Sequence, residues 1–426
     1  MYILNFIMKI FNQIIYKITN HLKFNNIILY FDYIYNIFYK TNQESEPKIC
    51  KKNKINIGLL TNEIPPIVYG GVATWIVNFI NMFNDDNKYN IIPIFLAYND
   101  KLGKKDQEKY EKIRVINDSD DIKDCFKDID ICVNNLWIHL DTIKKIKSLY
   151  NDINIITVCH SLIQMENITN LGSCYTNNWN DQENTFMNSD YVVLISKSEE
   201  NYYNMFGYGS FKANTRVIYN SYKPKYDDKH LDINYTSNDI GYIGRHVPRK
   251  RPELPLMAVC KLKLKDTKVY NMGVDYDKYD NQYWKVLEDK YKNILNIIPF
   301  TSDKQKIEEY WKTIGYNCIV GIYEPFGYTI CEALDRRIPI IVSDIDGPSE
   351  IIDEVKDYIY TYDVDIDNYN NDINNFSDIL KDAIKLSPNK KKYNAEKARK
   401  CLDKLRPENI KFEWVGLFEE CINLIN

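Results

Sequence analysis

The chain has 426 residues, enough for two domains of ordinary size with separate cores. Apolar residues make up 45% and charged residues 27%, a soluble globular balance. The net charge is -4 and there is no long basic run, which argues against nucleic acid as a partner. The 10 cysteines show no C-x-x-C and no His/Cys metal spacing. Cys132, Cys159 and Cys331 lie in apolar runs and read as buried thiols, so a reducing, cytoplasmic compartment is expected. Tyrosine is common (35) and glycine scarce (15), the bias of an AT-rich coding genome such as that of some large DNA viruses or protists.

Residues 1–53 form an N-terminal extension, rich in Ile, Phe and Tyr and interrupted by Lys9, Lys17, Lys23, Asp32 and Lys40. No uncharged run is long enough for a membrane span, and no secretory signal is legible. Extra helical packing is one reading. A basic amphipathic surface in residues 1–40, resting on the cytosolic face of a membrane, is the other.

From residue 55 the pattern becomes strands alternating with helices. Short Ile- and Val-rich runs at 55–60, 91–97, 129–133, 153–159, 191–195 and 216–219 suit buried strands of a parallel sheet. A helix is expected over 75–83. Between the first strand and that helix stand Gly70 and Gly71, which form either a turn or a close backbone approach to a ligand. His160 closes the fourth of these strands. Ser196-Lys-Ser-Glu199 reads as a helix capping box.

The polar stretch 221–237 is the expected linker between a first domain, 54–220, and a second, 238–400. Strands follow at 240–243, 268–272, 294–298, 318–320, 338–342 and 358–360. Gly241-Tyr-Ile-Gly244-Arg245 ends the first of them, with Lys250 five residues on. Two cations beside a glycine suit a diphosphate, although Arg249, Lys250 and Arg251 also read as a solvated basic turn. Residues 363–378 are expected to be an acidic, Asn-rich loop, and residues 401–426 a terminal helix.

The densest motif is Glu324-Pro-Phe-Gly-Tyr-Thr-Ile-Cys-Glu332. Pro325 and Gly327 break any helix through its first part, and Tyr328 opens one. The amides of Phe326, Gly327 and Tyr328 would face an anion, with Glu332 about one turn inside. Asp344-Ile-Asp346-Gly347-Pro348-Ser349-Glu350 then makes a turn into another helix. Its Asp-x-Asp pair is a weak metal motif, as is Asp363-Val-Asp365.

In this order the motifs resemble the retaining glycosyltransferases of the family 4 type (glycosyl transferases group 1), over about residues 54–424. The resemblance implies a GT-B fold, an α/β architecture of two doubly wound Rossmann-like domains facing across a cleft. It implies transfer of a hexose-type sugar from a UDP- or GDP-sugar to a glycan, lipid or protein-linked acceptor, with no metal and no other cofactor. Arg245 and Lys250 would hold the diphosphate, Glu332 the ribose, and Glu324 the transferred sugar. His160 would hydrogen-bond that sugar, while Gly70, Gly71, Gly244, Phe326, Gly327 and Tyr328 would line the donor site. The last helix, near 411–425, would cross back onto the first domain. Asp346 departs from the family, which often has glycine there. A GT-B epimerase or phosphorylase, or a non-catalytic sugar-nucleotide-binding protein, shares these motifs.

Overall fold

A computed structural model describes residues 54–97, 108, 110, 112–170, 179–226, 233–274 and 281–423. The expected N-terminal extension, with its membrane-facing surface, lies outside them, as does part of the expected linker. Among the described residues no helix is long and apolar enough to cross a membrane.

The first half carries β1 (Ile55–Thr61), β2 (Tyr89–Leu96), β3 (Arg114–Ile116), β4 (Ile131–Asn134), β5 (Asn154–Cys159), β6 (Tyr191–Leu194) and β7 (Asn214–Val217). They form one parallel sheet in the order β3-β2-β1-β4-β5-β6-β7. The second half carries β8 (Ile240–Ile243), β9 (Val269–Val274), β10 (Leu295–Pro299), β11 (Tyr316–Ile319), β12 (Ile340–Ser343) and β13 (Tyr360–Tyr362). These are also parallel, in the order β10-β9-β8-β11-β12-β13. Helices cover both faces, which is why the strands read as unbroken apolar runs. Ile131, Cys132 and Val133 of β4, for example, are all fully buried.

Each sheet reverses its strand order beside its first strand, between β1 and β4 and between β8 and β11. At such a switch point two loops diverge and leave a crevice at the carboxyl ends of the strands. The fold is GT-B, and Gly70, Gly71, Gly244, Arg245, Lys250 and Glu324 all follow strands that flank these two switch points.

Three expectations need correction. The acidic stretch 363–378 is not a loop throughout: a helix runs Tyr369–Ala383. Asn368 caps it by accepting from the Asn371 N–H (3.2 Å), and Phe376, Leu380 and Ala383 are buried. Polar composition masked an amphipathic face. The strand β3 was not anticipated, because three residues are too few to show a period. The capping box is half formed. Ser196 accepts from the Glu199 N–H (3.2 Å), but the Glu199 carboxylate turns inward to the Leu162 N–H (3.1 Å).

The last helix, Pro407–Asn423, packs on the first half. The Trp414 ring stands edge-on to Phe79 (centroids 5.0 Å apart) and Phe418 lies 5.3 Å from Tyr89. Each such fully buried ring contributes roughly 1.5–3 kcal/mol. Glu350 ties the halves at another point. Its carboxylate accepts from the Lys197 and Ser198 amides (2.9 and 2.7 Å) and from the Tyr219 hydroxyl (2.6 Å). A residue of the second half thus caps a helix of the first, Lys197–Met205.

Candidate functional site

Beyond β8 the chain turns at Gly244 and Arg245 and then enters a short 3-10 turn, Pro248–Lys250. Of the two readings of this run, the solvated basic turn is not what the structure shows. Arg249 and Arg251 are 3% and 6% exposed, each sunk among acceptors. Arg251 pairs with the buried Asp372, and Arg249 with Glu166 of the first half (3.1 Å). Arg249 also donates to the Tyr323 carbonyl (3.0 Å), and its guanidinium lies over the Tyr323 ring. A run of three cations reads as solvated only while the buried acceptors that receive it are unseen.

Lys250 points elsewhere and makes a short ion pair with Glu324. Burial pushes the Lys250 ammonium down to about 8, against the pull of Glu324. Burial also works to raise the Glu324 carboxyl, but Lys250, Arg249 and Arg245 together hold it below the usual carboxylate range. Arg245 is exposed at the crevice. Its charge also reaches Glu63 in the loop after β1, whose carboxyl burial raises.

Glu324 lies just beyond β11, on the other side of the second switch point. Its backbone is clamped from both sides by the turn that follows β12. The Glu324 N–H donates to the Asp346 carboxylate (3.2 Å), and the Gly347 N–H donates to the Glu324 carbonyl (3.2 Å). Asp346 holds a left-handed backbone (φ 43°), which Asp tolerates better than most residues. Its other carboxylate oxygen accepts from the Tyr202 hydroxyl of the first half (2.7 Å), and burial raises its carboxyl to about 6. Gly347 is required by close approach: a Cβ there would lie 2.3 Å from the Pro325 carbonyl oxygen. The departure at Asp346 therefore keeps the turn tight and adds a clamp on Glu324. Asp344 pairs with Lys356 (2.9 Å), so the two aspartates serve different partners.

Gly327 takes φ 100° and opens the helix Tyr328–Asp335. Glu332 on that helix is partly buried, and its carboxylate has no hydrogen-bond partner among the described residues. Burial raises its carboxyl, offset by Arg336 and Lys225. An acid kept unpaired one turn inside a helix that opens on a crevice suits a ligand's hydroxyl groups. Phe326 is buried and its ring stands against Tyr328 (5.1 Å).

From the first half, His160 directly follows β5, with Trp75 edge-on at 5.1 Å. Its Nε2 faces the Asn135 Oδ1 at 2.8 Å, and burial lowers the imidazole to about 3, so the ring is neutral at pH 7. Two residues on, the Leu162 N–H donates to the Tyr323 hydroxyl (2.9 Å), which brings the His160 loop against the segment that carries Glu324. Gly71 starts the helix Gly71–Met82 opposite Tyr328: a Cβ on Gly71 would lie 3.8 Å from that ring. A Cβ on Gly70 would meet nothing within 4 Å. The structure thus gathers His160, Gly71, Tyr328, Lys250 and Glu324 where the two crevices meet. Tyr323, Tyr202 and Asn135 had escaped sequence reasoning, and the partners of Arg249 and Asp346 were not legible there. Only Asn135 carried a signal, since it directly follows a strand.

Residues 225–398 match the family model of glycosyl transferases group 1. A probable sucrose-phosphate synthase of Thermosipho melanesiensis is 26% identical over 149 residues, which cover 34% of this chain and 32% of that relative. The match thus spans about a third of the curated relative's length. The sucrose-phosphate synthase of Thermosynechococcus elongatus superposes with a TM-score of 0.68 at 16% identity, covering 87% of this chain and 100% of that one. Anabaena HepE in complex with UDP and glucose gives 0.65 at 13% identity, covering 86% and 99%. These likenesses establish the fold.

Proposed function

We propose that this chain, whose residues 225–398 match the family model of glycosyl transferases group 1, transfers a hexose-type sugar from a UDP- or GDP-sugar to a glycan, lipid or protein-linked acceptor. The anomeric configuration is retained and no metal takes part. The observation that carries this reading is the Lys250–Glu324 pair at the second switch point, with Arg245 beside it and the unpaired Glu332 one turn into the adjoining helix. Breaking a glycosidic bond to a diphosphate builds negative charge on the leaving group. Lys250, Arg245 and the helix-opening amides at Phe326, Gly327 and Tyr328 oppose that charge, most strongly as it grows. Glu332 takes the ribose hydroxyls, and Glu324, held through both its backbone N–H and its carbonyl, addresses the sugar. The likeness to HepE, whose structure contains UDP and glucose, supports a uridine donor.

The test is a thermal-shift screen with UDP-, GDP- and ADP-sugars, followed by product analysis with a labelled donor. A nucleotide sugar that binds the folded state raises Tm by mass action. A UDP- or GDP-sugar is expected to raise it, and Glu332→Ala to abolish the rise while leaving the ligand-free Tm nearly unchanged. An undiminished rise in that variant removes Glu332 from the donor site.

A pH dependence follows from Lys250. Its folded-state value is depressed to about 8, so the free protein loses this cation as pH rises through 8. Donor kcat/KM, which reports the free enzyme, is expected to fall above pH 8. The kcat at saturation holds to higher pH, because a bound diphosphate favours the ammonium. Lys250→Arg, which cannot deprotonate, is expected to flatten the alkaline limb of kcat/KM. A limb unchanged by that substitution assigns the titration to another group.

A further inference from the structure

Three neighbouring strands of the first sheet, β1, β4 and β5, each end in or lead directly into a polar residue, and the three residues form a file along the sheet's carboxyl edge. Thr61 ends β1, Asn135 follows β4 and His160 follows β5. Asn135 is fully buried and its backbone N–H is bound to the Leu60 carbonyl (3.1 Å), so its side chain leaves from a fixed point. Its Nδ2 donates to the Thr61 Oγ1 (3.2 Å), which also accepts from the Glu63 N–H (3.0 Å). With its amide nitrogen so engaged, Asn135 presents its oxygen to His160 at 2.8 Å. A carbonyl oxygen can only accept, so the imidazole nitrogen facing it must carry the proton. A neutral ring has a single proton to place, and this contact places it on Nε2. The Nδ1 of His160 has no hydrogen-bond partner among the described residues.

We propose that Asn135 is a positioning residue: it fixes His160 as the Nε2–H tautomer and so leaves the Nδ1 lone pair as an acceptor for a hydroxyl group of the donor sugar. The choice of tautomer sets the chemistry that can be recognised. An Nδ1–H ring would donate, and would suit an ether or carbonyl oxygen. An Nδ1 lone pair demands a hydroxyl, and a sugar lacking it at that position leaves the acceptor unpaired. The side of the site facing His160 therefore selects for a free hydroxyl on the transferred sugar. The part concerning sugar rests on the transferase reading, whereas the place of the proton does not.

The decisive measurement is a long-range proton–nitrogen NMR spectrum of the full chain labelled in its 5 histidines, with His160 assigned by His160→Gln. The wild type is expected to show the Nε2–H pattern for His160, unchanged between pH 5 and 8. An Nδ1–H pattern, or a charged ring, overturns the proposal in the wild type itself, whether or not any variant folds. Asn135→Leu is expected to abolish the single tautomer and lower kcat by about 100-fold with little change in donor KM, as for a small misplacement of a reacting partner. Asn135→Asp keeps an acceptor, so it is expected to retain the Nε2 proton and raise the His160 pKa. Unaltered kcat in Asn135→Leu sinks the positioning role. If no sugar nucleotide is turned over by the wild type, the transferase reading fails while the tautomer result still stands or falls on its own.

Discussion

Lys250→Ala is expected to lower donor kcat/KM by about 100- to 1,000-fold, the loss of ~2.7–4 kcal/mol that follows removal of one preorganised charge-stabilising donor. The reason is geometric. Lys250 sits at the carboxyl end of β8 beside Arg245, at the switch point where a diphosphate would lie, and Glu324 holds its ammonium in place. Its charge is partly withdrawn from water, so it acts on developing charge more strongly than a surface lysine does. The substitution also strips Glu324 of its partner, so a control is needed. Lys250→Arg restores a cation without the same reach and is expected to recover part of the rate. Folding of each variant is checked by circular dichroism and Tm. Near wild-type kcat/KM in a folded Lys250→Ala protein removes the leaving-group role.

The second large effect falls on stability rather than on chemistry. Arg249→Met is expected to destabilise the chain by about 3–5 kcal/mol, because it leaves a buried carboxylate uncompensated. The Arg249 and Glu166 side chains are only 4% and 10% exposed, and the guanidinium also serves the Tyr323 carbonyl. The pair joins the first half to the segment carrying Lys250 and Glu324, so its loss strikes the junction between them. The double variant Arg249→Met/Glu166→Met removes both charges and is expected to recover most of the lost stability, since a buried pair costs much of its own attraction in desolvation. Urea denaturation measures both. A single variant as stable as the double would show that Glu166 finds another partner or water.

The sequence was legible where a pattern is local. Most strands, such as β1, β5, β8 and β12, announce themselves as short apolar runs, and their parallel pairing follows from burial on both faces, whereas the polar edge strands β7 and β13 overlap the expected runs only in part. The helix break at Gly327 and the acids at Glu324 and Glu332 could be placed relative to one another because they lie within nine residues. The helix Tyr369–Ala383 was missed because its Asn and Asp residues dominate the composition, although its buried face keeps a helical period at Phe376, Leu380 and Ala383. The basic run at 249–251 kept two readings for a different reason. Nothing adjacent in sequence points to the buried carboxylates, Glu166 and Asp372, that receive its two arginines in space.

By itself, then, the sequence determined the doubly wound α/β class and the local order of its cations, acids and glycines. Periodicity and turn chemistry act over a few residues, and those are written in the chain. Only the tertiary structure decided which groups meet: Glu166 with Arg249, Tyr202 with Asp346, Asn135 with His160, and Glu350 with the amides of a distant helix. Those pairings depend on where burial leaves a polar group in need of a partner. That is a property of the packed chain, and no single segment of it carries the answer.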